Sequence, residues 1–228
     1  MAKIIELDEV DSTNEYLKRL GGDEDAIVSA ARQTSGRGTK GRAFVSDEGG
    51  VYVSVLRIRR DFDFSKAFSI MITSCVAVCR TVEKYGLRPV IKWSNDVLVG
   101  GRKISGTLIE NTLSSGNICR SIVGIGLNVN NVFSGELKAI ATSMSEQAGH
   151  AFSVAEVRRT LTKNLEREYT VADYKRYIDW FGRQVIIIRE GERTLATALD
   201  VDDVGRLVVS VGGEVERLSS GEISLRLK

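Results

Sequence analysis

The chain has 228 residues, 43% hydrophobic and 27% charged, which suits a globular protein with one large domain and room for a small appendage. Lys+Arg 32 nearly cancels Asp+Glu 30, and a net charge of +2 gives no general electrostatic case for a nucleic acid partner. Three cysteines with no Cys-x-x-Cys spacing argue for a reducing, cytoplasmic compartment, and a single histidine, His150, excludes zinc sites built on several histidines.

The opening stretch MAKIIELDEVDSTNEYL is too acidic and too broken for a signal peptide. KIIELDEV begins as a strand. DSTNEYLKRLGG reads as a helix capped by Asp11 or Ser12 and ended by Gly21-Gly22. DAIVSAARQ is a short strand leading into QTSGRGTKGRAF. After the alternating strand Val51 to Ile58, Ser65 opens a long apolar helix that carries Cys75 and Cys79 as small core residues and ends near Gly86, before the lone Pro89. No apolar run reads as a membrane span. VIKW, DVLV, KISGTLIEN and CRSIVGIGLNV read as strands, with hairpin turns at Gly100-Gly101 and Ser114-Ser115-Gly116. One or two amphipathic helices fill 152–182. The tail, 183–228, is all short alternating strands with glycine turns and suits a small SH3-like barrel. The division is therefore 1–182 and 183–228. The fold class is α+β, a mixed sheet flanked by helices with a small C-terminal β-barrel.

The glycine loop has the spacing G-x-G-x-x-G at Gly36, Gly38 and Gly41, yet a strand follows it where a Rossmann turn needs a helix. A phosphate loop would need Lys and Ser/Thr where Arg42 and Ala43 stand. What remains is a glycine-rich cationic loop beside a strand, with a solvated basic hairpin as the plainer alternative. Its cations Arg37, Lys40 and Arg42 suit one small anion better than a duplex. Glycines keep such a loop mobile when empty, and an anion would order it around Arg37.

Three polar groups stand in loops or at strand ends, where binding residues concentrate: Ser12-Thr13-Asn14, Gln33 with the glycine loop, and Lys92 to Lys103. Asn95-Asp96 occupies a turn and offers a carboxylate for magnesium. Lys103 lies on a strand beside small Ser105 and Gly106, which let a ligand approach the backbone. A strand lysine is usually a snorkelling surface residue. Beside an aspartate and a mobile arginine loop it becomes a candidate anion clamp. Phe44 and Trp93 stand nearby, either against a ligand or in the core. His150, the only candidate imidazole base, sits in a loop away from these groups.

The segments DSTN, RQTSGRGTKGRAF, IKWSNDVLVGGRKISGTLIEN, GIGLNVN and GEISLR, in this order from Asp11 to the C-terminus, together resemble the biotin–protein ligases, on the class II synthetase-like biotin–lipoate ligase fold. The chain starts at the catalytic segment and so is similar to the ligase-only class, without the helix-turn-helix domain of the repressor members. The resemblance implies that biotin and Mg-ATP give biotinyl-5′-AMP, from which a lysine of a biotin carrier domain takes the biotinyl group. It implies that Ser12, Thr13, Asn14 and Gln33 bind the rings of biotin. Arg37, Gly38 and Thr39 would fold over the carboxylate or adenylate, and Lys103, beside Gly106, would hold the carboxylate and then the acyl-phosphate oxygens. Arg37 and Lys103 would be the catalytic cations. Arg37, Arg42, Lys92, Asn95, Asn128 and Arg226 would serve ATP, and Asp96 would serve Mg²⁺. No membrane is implied, and a homodimer through paired sheets is left open.

Two positions depart from the family pattern. Ser94 stands where proline is usual, which loosens the turn, and Thr39 stands where arginine is usual, which implies faster loss of the adenylate. A lipoate or octanoate ligase on the same fold is the nearest rival, but those ligands lack the urea ring that the Ser-Thr-Asn and Gln33 set would serve. A non-catalytic binding module and a DNA-binding regulator are the further alternatives.

Overall fold

The computed structural model describes residues 2–189, 191–219 and 223–227, with side chains for all of these except 60, 61 and 223–227. Its large layer is a seven-stranded sheet built from β1 (Lys3–Val10), β2 (Ala26–Gln33), β3 (Val51–Asp63), β4 (Val90–Lys92), β5 (Asp96–Val99), β6 (Arg102–Ser114) and β7 (Asn117–Leu127). The strand order is β1-β2-β3-β7-β6-β5-β4; β1 runs parallel to β2 and the other pairs are antiparallel.

Alternation along β3 and β7 decides what each face carries. Val51, Val53, Val123, Ile125 and Leu127 point into the main core with α2 (Ala67–Lys84). Leu56 and Ile122 point the other way, with Ser54, toward α1 (Thr13–Leu20) and its buried Leu17. Side chains two apart share a face, so this split follows directly from strand geometry.

Ser12 caps α1, its hydroxyl accepting from the Glu15 N–H, and Gly21 at φ 62 ends it as the sequence suggests. By length and composition alone Phe64–Lys84 would pass for a membrane span, contrary to the sequence expectation. Most of its apolar residues from Ile70 to Val82, Cys75 and Cys79 among them, are instead buried in the main core. Burial pushes the Cys75 thiol up to about 12, so it stays protonated and inert.

Short helices α3 (Leu137–Ile140) and α4 (Met144–Ala148) interrupt the stretch after β7, and α5 (Val154–Leu165) and α6 (Val171–Lys175) follow. α5 buries Val157 and Leu161 in the same core as α2. The tail forms a five-stranded antiparallel sheet from β8 (Gln184–Arg189), β9 (Glu192–Val201), β10 (Leu207–Val211), β11 (Glu214–Leu218) and β12 (Ile223–Leu227), in the order β11-β10-β9-β8-β12. This is the small SH3-like layer. Its apolar face joins the main core, and Trp93 Nε1 donates to Gly205 O at 3.0 Å. Trp93 is thus a core residue that ties the two sheets together and does not border a ligand site.

Candidate active site

A narrow cleft opens on the α1 face of the large sheet. Its floor lacks side chains for a reason visible in the register. Gly106 on β6 pairs with Gly126 on β7, and Gly124 stands two residues before Gly126 on the same face. A Cβ at Gly126 would lie 2.3 Å from the Phe44 ring, and one at Gly124 would lie 2.2 Å from Asn14 Oδ1. A Cβ at Gly106 would lie 2.9 Å from Lys103 Nζ. At Gly124 and Gly126 no side chain fits without displacing Asn14 or the Phe44 ring, while the flexible end of Lys103 could yield at Gly106; the bare floor is what lets all three lie against the sheet.

One wall is polar and internally bonded. Gln33 Oε1 accepts from Thr13 N at 2.8 Å and Thr13 Oγ1 at 3.0 Å, while Gln33 Nε2 donates to Ser46 Oγ at 2.8 Å. Ser54 Oγ sits 2.7 Å from Thr13 Oγ1 and 2.6 Å from Asn14 Oδ1; its one proton serves one of the two. Asn14 Nδ2 donates to Glu110 Oε2 at 2.8 Å. Thr13, Asn14 and Gln33 border the cleft with hydrogen-bonding capacity to spare, and each is already held in position.

The charge comes from the glycine loop and from β6. The glycine loop is a hairpin, the plainer of the two forms that the sequence left open. Gln33 and Ser46, then Arg37 and Ala43, face each other as bridges, Phe44 N donates to Gly36 O at 2.9 Å, and Gly38 N donates to Arg42 O at 2.7 Å. A 3₁₀ turn at Thr39–Gly41 closes its tip, with Lys40 in the left-handed region at φ 58. Arg37, Gly38 and Thr39 border the cleft, as do Phe44, Asn95 and Lys103. Neither cation is free: Arg37 Nη1 pairs with Glu15 Oε1, and Lys103 Nζ lies 2.6 Å from Asp96 Oδ1. Lys103 Nζ also stands 5.7 Å from the Phe44 ring centre, within cation–π range.

Ser12, Thr13, Asn14, Gln33, Arg37, Gly38, Thr39, Asn95, Lys103 and Gly106 therefore share one cleft, as the sequence suggested. Asp96 reaches it only through Lys103. Arg42, Lys92 and Asn128 do not border it. Asn128 is buried, donates from Nδ2 to Thr142 O at 3.0 Å, and leaves Oδ1 without a partner. The Arg226 side chain lies outside the described residues. His150 stacks on Phe152 at 4.5 Å, away from the cleft.

Residues 7–128 match the model of the Biotin/lipoate A/B protein ligase family, more than half of the chain. The chain belongs to that family. Residues 181–226 match a second model, the Biotin protein ligase C terminal domain. Among curated relatives of this ligase family member, the Bifunctional ligase/repressor BirA of Bacillus subtilis is 32% identical over 236 residues, covering 96% of this chain and 72% of its own. The Biotin–[acetyl-CoA-carboxylase] ligase of Mycobacterium tuberculosis is 27% identical over 219 residues, with 89% and 80% covered. Among solved structures, the biotin protein ligase from Aquifex aeolicus in complex with biotin and ATP superposes with a TM-score of 0.83 at 29% identity, over 100% of both chains.

Within this ligase fold, sequence reasoning missed the floor glycines Gly124 and Gly126, the lining residues Thr107, Leu108 and Ile125, and the counter-ions Glu15 and Glu110. The alternating glycines of GIGL were the available signal. The carboxylates gave none, since Glu110 reaches Asn14 across 96 positions of chain.

Proposed function

We propose that this chain is an ATP-dependent biotin–protein ligase, with the roles of its side chains as follows. The activity has two steps. A biotin carboxylate oxygen attacks the α-phosphorus of ATP, the bond to the β-phosphate oxygen breaks, and pyrophosphate leaves. The amine of a lysine on a biotin carrier domain then attacks the acyl carbon of biotinyl-5′-AMP. The amide forms, AMP leaves, and the amine gives up its proton.

Bringing a carboxylate to a triphosphate sets like charges together. Arg37 and Lys103, which border one cleft, supply the cations that offset this, and such preorganised charge counts most where charge develops in the transition state. Thr13, Asn14 and Gln33 offer the mixture of donors and acceptors that a cyclic urea needs. Asn95, on the cleft wall with Nδ2 bonded to Thr107 O at 2.9 Å, orients a phosphate. Arg42, Lys92, Asn128 and Arg226 belong to the nucleotide side of the same reading and need the nucleotide, or movement of the loop and tail, to meet it.

Mg²⁺ enters with the nucleotide. Among the described residues no three His, Cys, Asp or Glu side chains gather to hold a metal. That fits magnesium, which usually takes one or two carboxylates and finishes its shell with phosphates and water. Asp96 is the carboxylate assigned to it, exchanging its present partner Lys103.

The carrier domain is the protein partner, and the reading places the activity in the cytoplasm. It includes a chain division at Gly182, supported by the second sheet starting at Gln184. Sheet-paired dimerisation is carried as an expectation, as is the lack of a nucleic acid partner. The convergence of Arg37 and Lys103 on one glycine-floored cleft beside the Thr13–Gln33 polar wall carries this proposal. Incubation with ATP, Mg²⁺ and each of biotin, lipoate and octanoate tests it. Biotinyl-5′-AMP should accumulate with biotin alone, and a preference for lipoate would overturn it.

A further inference from the structure

Behind the large sheet, on the face away from the active-site cleft, α2 and α5 border an open concavity of ≈ 450 Å³ whose charged lining is Arg80, Lys84, Arg159, Lys163 and Arg167. Among the described residues no acidic side chain lines it. The arrangement works against the helices that carry it. Arg80 and Lys84 are four apart on α2, and Arg159 and Lys163 are four apart on α5, so each pair stacks like charges on one helix face, a destabilising spacing. Elsewhere this chain pairs its cations freely, as at Lys18, Arg19, Arg57, Arg102 and Arg158. Here, among the described residues, Arg80, Lys84, Lys163 and Arg167 have no carboxylate within 4.0 Å, and Arg159 reaches Glu156 only at 4.0 Å. Asp173 lies close enough to Arg80 to feel its charge, but its carboxylate is already bound into the cap of α6. Lys84 Nζ touches Thr160 Oγ1 at 3.2 Å, so a hydroxyl donor also faces the cleft.

We propose that this cleft is a second anion site, for a small polyphosphate such as tripolyphosphate or the phosphate chain of a nucleotide. Multiple charge is required, because one monoanion would leave most of the five cations uncompensated. Phosphate oxygens accept several charge-assisted hydrogen bonds at once, and arginine suits them especially well. Small size follows from the rest of the surface. With these five cations set aside, a chain of net charge +2 is net acidic, so a long nucleic acid leaving the cleft would meet repulsion. The volume is also that of an ordinary small-ligand pocket.

The probe is inorganic tripolyphosphate, titrated calorimetrically into the full chain and into Lys103→Ala, Lys163→Glu/Arg167→Glu and its neutral counterpart Lys163→Gln/Arg167→Gln. A binding event should persist in Lys103→Ala, which separates it from the active-site cleft. It should weaken about tenfold in the neutral double variant, which removes one or two charge-assisted hydrogen bonds, and further in the reversed one. Both double variants should keep the wild-type circular dichroism and biotin-dependent ATP–pyrophosphate exchange. If the reversed variant does not fold, the neutral one decides alone. Binding that ignores both double variants, that vanishes in Lys103→Ala, or that is weaker than binding of a short DNA duplex by the same cleft overturns the proposal.

Discussion

Arg37 of the glycine loop is ion-paired to Glu15 in the first turn of α1, and the same carboxylate oxygen accepts from Lys18 Nζ at 2.8 Å. Glu15 is therefore the counter-ion of the loop cation, and a substrate carboxylate has to take Arg37 from it. The pair is partly exposed, so it is worth about 0.4–1 kcal/mol. In Glu15→Gln the loop should open more often without ligand. Trypsin should cut after Arg37, Lys40 or Arg42 about two- to fivefold faster than in the wild type, and a saturating ligand should erase the difference. An unchanged cleavage rate would mean the hairpin alone holds the loop. The pH dependence has a definite sign. Hydrogen bonding from Lys18, with the charges of Lys18 and Arg37, holds the Glu15 carboxyl below the ordinary glutamate value. A depressed carboxylate contributes stability above its unfolded value and loses it as pH falls through the folded one. Tryptic sensitivity of loops released by acid, assayed after brief pulses, should thus rise in the wild type and stay flat in Glu15→Gln.

Lys103 Nζ stands over Gly106 and pairs with Asp96 at 2.6 Å. Lys103→Ala removes a charge that the adenylation transition state needs and leaves Asp96 uncompensated beside two incoming anions. Biotin-dependent ATP–pyrophosphate exchange should fall about 10²–10³-fold, the usual cost of removing such a group. A non-catalytic binding module would keep its function in this variant.

The parts of the fold legible in the sequence are those set by local pattern. Val51–Ile58 alternates, so its strand and both its faces follow; Ser12 with Glu15 marks a helix start; Gly21 marks its end. The pairing of Arg37 with Lys103 was legible from small Ser105 and Gly106 beside Lys103, from the cationic glycine loop, and from the family resemblance that joins them. The illegible parts depend on contacts across the chain. The bond from Asn128 Nδ2 to Thr142 O joins residues 14 positions apart, and no local pattern announces it. Trp93 stood next to the binding turn in sequence, but its indole reaches Gly205, 112 positions away, and lies in the core. Glu15 reads as an ordinary first-turn acid until the hairpin brings Arg37 to it. The sequence left the glycine loop open between a loose loop and a basic hairpin because the bonds that decide it join backbone groups, which composition does not reveal.

Thr39 opens the 3₁₀ turn at the loop tip and borders the cleft. An arginine there would add a third cation beside the acyl-phosphate. Thr39→Arg should slow release of biotinyl-5′-AMP by about tenfold, the effect of one partly exposed charge-assisted hydrogen bond. Rapid-quench measurement of adenylate remaining on the enzyme after dilution reads this directly, and equal off-rates for the two proteins would refute it.

Gly126 tests whether the bare floor is required for ligand binding or only for packing. A methyl group there meets the Phe44 ring at 2.3 Å, and Phe44 is hemmed in by Tyr52, with ring centres 6.5 Å apart. In Gly126→Ala the ring has to swing away from the sheet, and the open side is the cleft. Overpacking of this kind costs about 1–3 kcal/mol of stability, and the displaced ring should raise the KM for biotin by about tenfold or more. Trimming the ring separates the two effects. Phe44→Leu/Gly126→Ala relieves the clash, so its biotin KM should return most of the way to that of Phe44→Leu alone. If the double variant binds biotin as poorly as Gly126→Ala, the glycine serves the strand backbone and the floor argument fails.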